Sequence, residues 1–261
     1  MQSRKLGSLF AIGLMAWLSG CATVKTADPR DPWEGWNRGV QSFNDNVDSY
    51  VMKPVAKGYN WVMPDFADKG VTNFFSNLDD IGVFTNDLLQ GKFLQSGMDT
   101  ARFLVNTTAG VGGLVDVGSM IDLPKHNEDF DQTLGFWGVP TGPYVVLPLF
   151  GPSTPRGILG LAGDAAMNPI TYVGFYLNPE WLGAAVSIGA GAVKVVDARS
   201  DLLGMEKVAN EAALDRYQFF RDAYLSNRNY LVHDGNVPEE DVLKFENLKD
   251  DGFGPLNTNP Y

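Results

Sequence analysis

Three long stretches of the chain carry no charged residue, and each is too broken or too short to cross a membrane as one helix. They cover residues 132–155, 165–179 and 181–193. The first contains five prolines in 24 residues, and one helix cannot hold so many residues that lack an amide N–H. The other two have 15 and 13 residues, whereas a spanning helix needs ~20. The pattern predicts apolar segments that suit one leaflet of a membrane. Residues 140–155 are predicted to form a turn or short hairpin.

The N-terminus has the pattern of a bacterial lipoprotein signal. A basic pair at residues 4–5 precedes an apolar run, and small residues lead directly to Cys21, the only cysteine in the chain. Small residues suit the groove of a signal peptidase, and the cysteine thiol can take up a lipid. We expect residues 1–20 to be removed and residues 21–30 to be a tether that starts at lipidated Cys21. The alternative is an ordinary signal peptide with a cysteine nearby.

The residue after the cysteine indicates the destination. Ala22 stands where an Asp retains enteric lipoproteins at the inner membrane, so we expect an outer-membrane protein anchored at Cys21. Several acyl chains on one cysteine anchor a protein stably, whereas a single chain binds only weakly.

Charge and residue content exclude several classes of function. There are 20 Lys and Arg against 31 Asp and Glu, a net charge of -11 that disfavours nucleic-acid binding. One Cys and two His are too few for a zinc site built by the protein, and one Cys allows no disulfide within the chain. The chain has neither a Gly-x-Ser-x-Gly elbow nor a His-Glu-x-x-His pair. We therefore expect no metal, no cofactor and no catalytic centre.

Two further features resemble chemical sites, and a structural interpretation is favoured for both. Residues 110–113 resemble a phosphate-binding loop, but no Lys-Ser or Lys-Thr pair follows them, so a tight turn is favoured. Asp79-Asp80, Asp129 and Asp131 are interpreted as exposed faces or helix caps rather than a catalytic pair.

Apolar residues at helical spacing predict most of the remaining structure. We expect Pro54 to kink or restart the first helix, Gly91 to end the second, and residues 144–147 to form a short strand. The acidic segment 237–261 is expected to be a flexible tail. The predicted helices cover residues 33–62, 66–90, 96–107 and 210–231.

The order of several motifs resembles the VacJ/MlaA lipoproteins, over about residues 28–236. Asp131 departs from the pattern, because the family usually has Gly there, and so do Pro155 and Gly157 on either side of Arg156. The matching motifs are DPWEGWNR at 31–38, FN at 43–44, VTNFFSNL at 71–78, NDLLQG at 86–91, RFLVNT at 102–107, GVGGLVD at 110–116, QTLG at 132–135, GPYVVLP at 142–148, and the closing segments 217–228 and 231–235.

The resemblance implies a mostly α-helical fold and non-enzymatic lipid transport. Residues 31–236 would form a ring-like bundle of amphipathic helices embedded in the inner, periplasmic leaflet of the outer membrane, with a short hairpin. An amphipathic channel through the ring would remove mislocalised phospholipid from the outer leaflet and pass it to a soluble periplasmic carrier, which maintains lipid asymmetry. A trimeric porin is the implied membrane partner.

The same resemblance places two groups of residues near the lipid path. They are Phe43 and Asn44 in the first helix, and Asn73, Phe74 and Phe75 in the second. Core packing is the alternative for the phenylalanines. Two other functions stay open at this point: a membrane-anchored hydrolase that acts on lipid or cell wall, and a structural lipoprotein that only binds porin.

Overall fold

The computed structural model describes residues 28–204 and 215–238. Cys21, the leader, most of the tether and most of the acidic tail lie outside these ranges. The helices are α1 (Glu34–Val47), a π-helical segment (Asp48–Met52), α2 (Lys53–Val62), α3 (Asp65–Leu89), α4 (Phe93–Thr108), α5 (Val117–Met120), α6 (Phe130–Phe136), α7 (Pro155–Met167), α8 (Ile170–Tyr176), α9 (Glu180–Asp201) and α10 (Arg216–Val232). Two strands, β1 (Val145–Leu147) and β2 (Gly151–Ser153), form an antiparallel hairpin in which Val145 pairs with Ser153. The mostly helical fold with a short hairpin is confirmed.

Local backbone chemistry explains several element boundaries. The first predicted helix runs without interruption from α1 to α2, but its winding widens to a π-helix just before Pro54. Proline has no N–H to donate and clashes with the carbonyl four residues earlier, and the wider turn accommodates both effects. Gly91 adopts a φ of +76° directly after α3, as a C-terminal glycine does. The predicted stop at Gly91 is confirmed, whereas at Pro54 the helix changes its winding and continues.

The last helix begins later than the sequence predicts. We expect a helix from residue 210, whereas α10 starts at Arg216. Asp215 is extended, and its carboxylate accepts hydrogen bonds from the backbone N–H groups of Tyr217 and Gln218. A short acidic side chain is more stable at this capping position than inside a helix. Residues 210–214 lie outside the described part of the chain.

Contacts between elements close a ring. α1 packs on β1, β2 packs on α10, and α10 packs on α6. From α6 the contacts continue through α3 to α9 and α2, and the π-helical segment joins α2 back to α1. α4 lies against α3, and α7 lies against α6. The ring therefore joins residues that are far apart in the sequence.

The distribution of polarity is opposite to that of an ordinary soluble domain. Among the described residues, 20 polar or charged residues are buried, against 8 hydrophobic ones. Large apolar side chains lie on the surface instead, with Trp61 89% exposed and Phe66 79% exposed. Soluble monomers rarely expose continuous apolar areas of this kind. The outer surface of the ring therefore fits apolar surroundings.

Helix α9 extends beyond the uncharged run in its sequence. Judged by length and composition, it is the one helix in the described ranges that is long and apolar enough to cross a membrane. It has 22 residues, and its most apolar 18-residue window has a mean hydropathy of 1.3. The short run 181–193 alone does not predict this length, because the helix continues through Lys194. Lys194 pairs with Asp79 at 2.6 Å, and Asp197 accepts hydrogen bonds from Tyr59 and Thr72. These contacts hold the second half of α9 against α2 and α3.

Candidate functional site

A large cavity of about 1170 Å³ lies inside the ring. Its wall is formed by α1, the π-helical segment, the hairpin, the end of α9 and the start of α10. Most of these side chains are apolar, so the cavity can hold hydrocarbon. The apolar residues of the wall include Val47, Met52, Tyr144, Val146, Leu149, Phe150, Val195, Leu202, Phe219 and Phe220.

Four charged residues interrupt this apolar wall and form two ion pairs. Arg199 contacts Asp48 through two hydrogen bonds, of 2.6 Å from Nε and 2.7 Å from Nη2. Arg216 contacts Asp45 through Nη1 at 3.1 Å. Burial raises the pKa of the Asp45 carboxyl, the charge of Arg216 lowers it, and the nearby charge of Asp48 raises it further. Among the described residues, the wall thus carries equal numbers of positive and negative side chains.

Two asparagines of α1 attach the hairpin to the cavity wall. Asn44 donates a 2.9 Å hydrogen bond to the carbonyl of Leu147 and accepts a 2.8 Å bond from the N–H of Leu149. Asn37 is fully buried, and its Oδ1 accepts a 2.8 Å bond from the N–H of Val146. An asparagine carries both a donor and an acceptor, so each amide can satisfy two backbone groups. The hairpin is therefore held by side chains as well as by its own strand pairing.

The structure separates the residues that the sequence places near a lipid path. Asn44 lines the cavity, whereas Phe43 is half-exposed and is not part of the wall. Asn73 lies on α3 and donates a 3.2 Å hydrogen bond to the carbonyl of Leu114. Phe74 and Phe75 pack edge to face at 5.5 Å, with Phe75 buried. A lipid-path role for these four residues stays a prediction, without contact to the cavity.

The four charged residues of the wall carry no sequence signal. Asp48 and Arg199 are 151 residues apart, and Asp45 and Arg216 are further apart still. Neither pair belongs to a recognisable motif or a helical spacing. Only closure of the ring brings the members of each pair together.

The carboxylates interpreted as exposed or capping residues divide into two groups. Asp129 is a cap, since its Oδ1 accepts a 2.9 Å bond from the N–H of Gln132. For Asp80 the interpretation is wrong, because this side chain is 1% exposed and pairs with Lys125 and with Arg102. Burial raises the pKa of Asp80, and these two cations oppose that effect. Asp80 thus belongs to the polar interior.

The glycine-rich segment is a tight turn, as its sequence predicts. Gly112 and Gly113 have φ angles of +71° and +91°, which side chains rarely allow. A Cβ on Gly113 would lie 2.7 Å from Nδ2 of Asn77. The segment is therefore packed against α3. In the described ranges, no group of three His, Cys, Asp or Glu residues is arranged to hold a metal ion.

The family model described as MlaA lipoprotein matches residues 29–231. The chain belongs to the MlaA lipoprotein family. Its relatives include the intermembrane phospholipid transport system lipoprotein MlaA of Haemophilus influenzae, 35% identical over 242 residues that cover 87% of this chain and 93% of that protein. The protein of the same name in Escherichia coli K12 is 32% identical over 240 residues, covering 90% and 92%.

A solved structure supports the same assignment. It comes from work on the structural basis for maintenance of bacterial outer membrane lipid asymmetry. It is similar to this chain with a TM-score of 0.67 and 32% identity, covering 77% of this chain and 98% of that one. The MlaA family assignment therefore rests on both sequence and fold.

Asp131 and Arg156 form an ion pair in the interior. Asp131 is 4% exposed, so its interpretation as an exposed or capping residue is also wrong. Its Oδ1 accepts a 2.6 Å bond from Arg156, and its Oδ2 accepts a 2.7 Å bond from Arg228. Gly160 brings α7 close to α6, because a Cβ there would lie 2.6 Å from the Cβ of Asp131. Asp131 thus joins α6 to α7 through Arg156 and to α10 through Arg228.

Proposed function

We propose that this protein transports phospholipid and thereby maintains the lipid asymmetry of the outer membrane. The observation that carries the proposal is an apolar cavity inside a ring whose outer surface is also apolar. At about 1170 Å³ the cavity exceeds the ~300–1,000 Å³ of ordinary small-molecule pockets. The names of the relatives and of the structural match support the same function.

The mechanism that fits this geometry is a passive conduit. Phospholipid misplaced in the outer leaflet enters the ring, passes through the cavity and leaves on the periplasmic side. Apolar wall residues shield the acyl chains, while the charged pairs and Asn44 offer hydrogen bonds to the head group. Because the conduit has no energy source, phospholipid moves through it down its own concentration gradient. A soluble periplasmic carrier that takes up the lipid therefore sets the direction.

The proposed location is the inner leaflet of the outer membrane, with an anchor at Cys21. The exposed apolar side chains would contact acyl chains, as those of interfacial helices do. A net charge of -11 opposes approach to anionic lipid head groups. A trimeric porin that covers part of the ring would reduce this repulsion, and we include it in the proposal as the membrane partner.

Deletion of the gene tests the proposal as a whole. The cell surface should expose more phospholipid, measured by chemical labelling of outer-leaflet phosphatidylethanolamine, and the wild-type gene should reverse the change. Normal asymmetry in the deletion strain would contradict transport and favour a structural lipoprotein that only binds porin. The MlaA family is not a known enzyme family, and release of fatty acid from phospholipid by the purified protein would instead indicate a hydrolase.

A cavity-filling substitution tests the path. Val195 lines the cavity, and Val193 lies two residues earlier on α9 outside the wall. Val195→Trp adds bulk to the cavity, so we expect it to restore asymmetry poorly in the deletion strain, whereas Val193→Trp should restore it fully. Equal complementation at matched protein levels would contradict a route through this cavity.

A further inference from the structure

We propose that the two ion pairs of the cavity wall recognise a zwitterionic head group, with Arg216 and Arg199 toward the phosphodiester and Asp45 and Asp48 toward the ammonium. The inference rests on the proposed function and adds a preference among phospholipids. It predicts that a head group with a primary ammonium binds better than an anionic head group of similar size.

The inference is supported first by the balance of positive and negative side chains in the described part of the wall. Two arginines and two aspartates stand among apolar side chains, so the described part of the wall is neutral although the whole chain has a net charge of -11. In apolar surroundings charges interact strongly, and a few such groups can determine which ligand is held. A zwitterion can replace both partners of an ion pair at once. An anionic head group replaces only the carboxylate and leaves that carboxylate without a cation.

The two pairs differ in how easily they open. Asp48 and Arg199 share two short bonds, and the Arg199 side chain is 14% exposed. Asp45 and Arg216 share one longer contact, with side chains 39% and 44% exposed. An exposed single contact of this kind adds little stability. The Asp45–Arg216 pair is therefore the one that opens to the ligand, while Asp48 and Arg199 stay in place beside it.

The surroundings of Asp45 and Arg216 suit this exchange. The guanidinium of Arg216 lies 5.3 Å from the centre of the Phe220 ring, which limits its motion. Its N–H donors can turn to a phosphate once the contact with Asp45 opens. Asp45 and Asp48 are three residues apart and thus on one side of the helix. Burial and the charge of Asp48 together raise the pKa of Asp45. The ammonium of a bound head group would offset the repulsion between the negative charges of Asp45 and Asp48.

Competitive lipid binding tests the inference. The purified, full-length lipidated protein is incubated with mixed micelles that hold equal amounts of phosphatidylethanolamine and phosphatidylglycerol with identical acyl chains. Native mass spectrometry then measures the ratio of the two lipids on the protein. We expect about a fivefold excess of phosphatidylethanolamine on the wild type. Asp45→Asn should reduce this ratio to near one, and Arg216→Gln should lower the occupancy of both lipids.

Two matched variants separate recognition from structure. Asp65→Asn removes an exposed carboxylate outside the cavity and should keep the wild-type ratio. Asp45→Glu keeps the charge and should keep the preference, so it also reports on folding at this position. A wild-type ratio of one, or an unchanged ratio in Asp45→Asn, would overturn the inference and leave transport intact. A wild type that binds neither lipid would contradict the proposed function itself.

Discussion

At the scale of single residues, the polar interior holds two neighbouring buried carboxylates, Asp87 and Asp99. Asp87 on α3 is fully buried, and neither of its carboxylate oxygens has a hydrogen-bond donor. Its neighbour Asp99 on α4 is 1% exposed and accepts a 2.9 Å bond from Gln95. Two carboxylates without a shared cation are stable together when they hold one proton. Burial, followed by the hydrogen bond and the charge of Asp99, raises the pKa of Asp87 to about 7.

This proton predicts an unusual pH dependence of stability. In the unfolded chain Asp87 releases its proton near pH 3.8, but the folded protein keeps it until about 7. Within this window the folded state binds more protons, so rising pH lowers the free energy of unfolding by about 1.4 kcal/mol per pH unit. Asp87→Asn supplies a permanent donor to Asp99 and removes this loss. We expect the melting temperature of the variant to exceed that of wild type increasingly between pH 5 and pH 7, and by a nearly constant amount above pH 7.

Thermal unfolding followed by circular dichroism in detergent measures the effect. Asp65→Asn changes an exposed carboxylate and should show a constant difference from wild type over the same pH range. A constant difference for Asp87→Asn as well would mean that Asp87 is already ionised in the folded protein.

At the scale of elements, hydrogen bonds and ion pairs between polar side chains replace the apolar contacts that usually fix one element to another. The hairpin is attached to α1 by Asn37 and Asn44, and α9 is attached to the π-helical segment by Arg199 and Asp48. The buried apolar cluster beside the hairpin is small and includes Tyr144. The position of the hairpin at the cavity therefore depends on a few hydrogen bonds.

Asn44→Ala tests this dependence. The change removes both hydrogen bonds to the hairpin, and each contributes about 1 kcal/mol to its stability. We expect amide hydrogen exchange in residues 145–153 to accelerate about tenfold or more, measured by mass spectrometry, with little change in α4. Asn46→Ala is the control, because Asn46 is exposed and bonds only within its own helix, to the carbonyl of Ser42. Equal acceleration in both variants would show that strand pairing alone holds the hairpin.

At the scale of the whole molecule, the apolar side chains that do not enter the interior form an outer surface. Among the described residues, Trp61 is the most exposed large apolar side chain, and Phe66 and Tyr176 are almost as exposed. Interior ion pairs and an apolar exterior are compatible in one chain only when the exterior contacts lipid or another apolar surface.

Vesicle binding without the lipid anchor tests the outer surface. The mature chain with Cys21→Ser should still bind neutral phosphatidylcholine vesicles through its apolar side chains. Adding Trp61→Asp replaces an inserted ring by a charge, so bound protein should fall about tenfold in a flotation assay. Asn236→Asp adds the same charge at an exposed turn after α10 and should bind as before. A similar loss in both variants would assign the effect to net charge alone.

Much of the fold could be predicted from local patterns. Helical spacing indicates α1 to α3, and the change of winding at Pro54 and the stop at Gly91 follow from backbone chemistry. Asp215 shows the limit of such patterns, because the same residue fits the interior of a predicted helix and the cap of a shorter one. For the candidate site, the motif that contains Asn44 indicates one wall residue, and no pattern indicates its charged neighbours.

From sequence alone, the proline positions and the uncharged runs determine that the chain has short apolar segments. The residues around Cys21 predict a lipoprotein leader. These properties are local, since they depend on backbone restrictions and on residues within one turn of each other. Only the tertiary structure decides that Asp80 and Asp131 are buried, and that Asp48 meets Arg199 in the cavity wall. The reason is that an ion pair between distant elements exists only after the ring closes. Burial then makes each unpaired charge costly enough to require its partner.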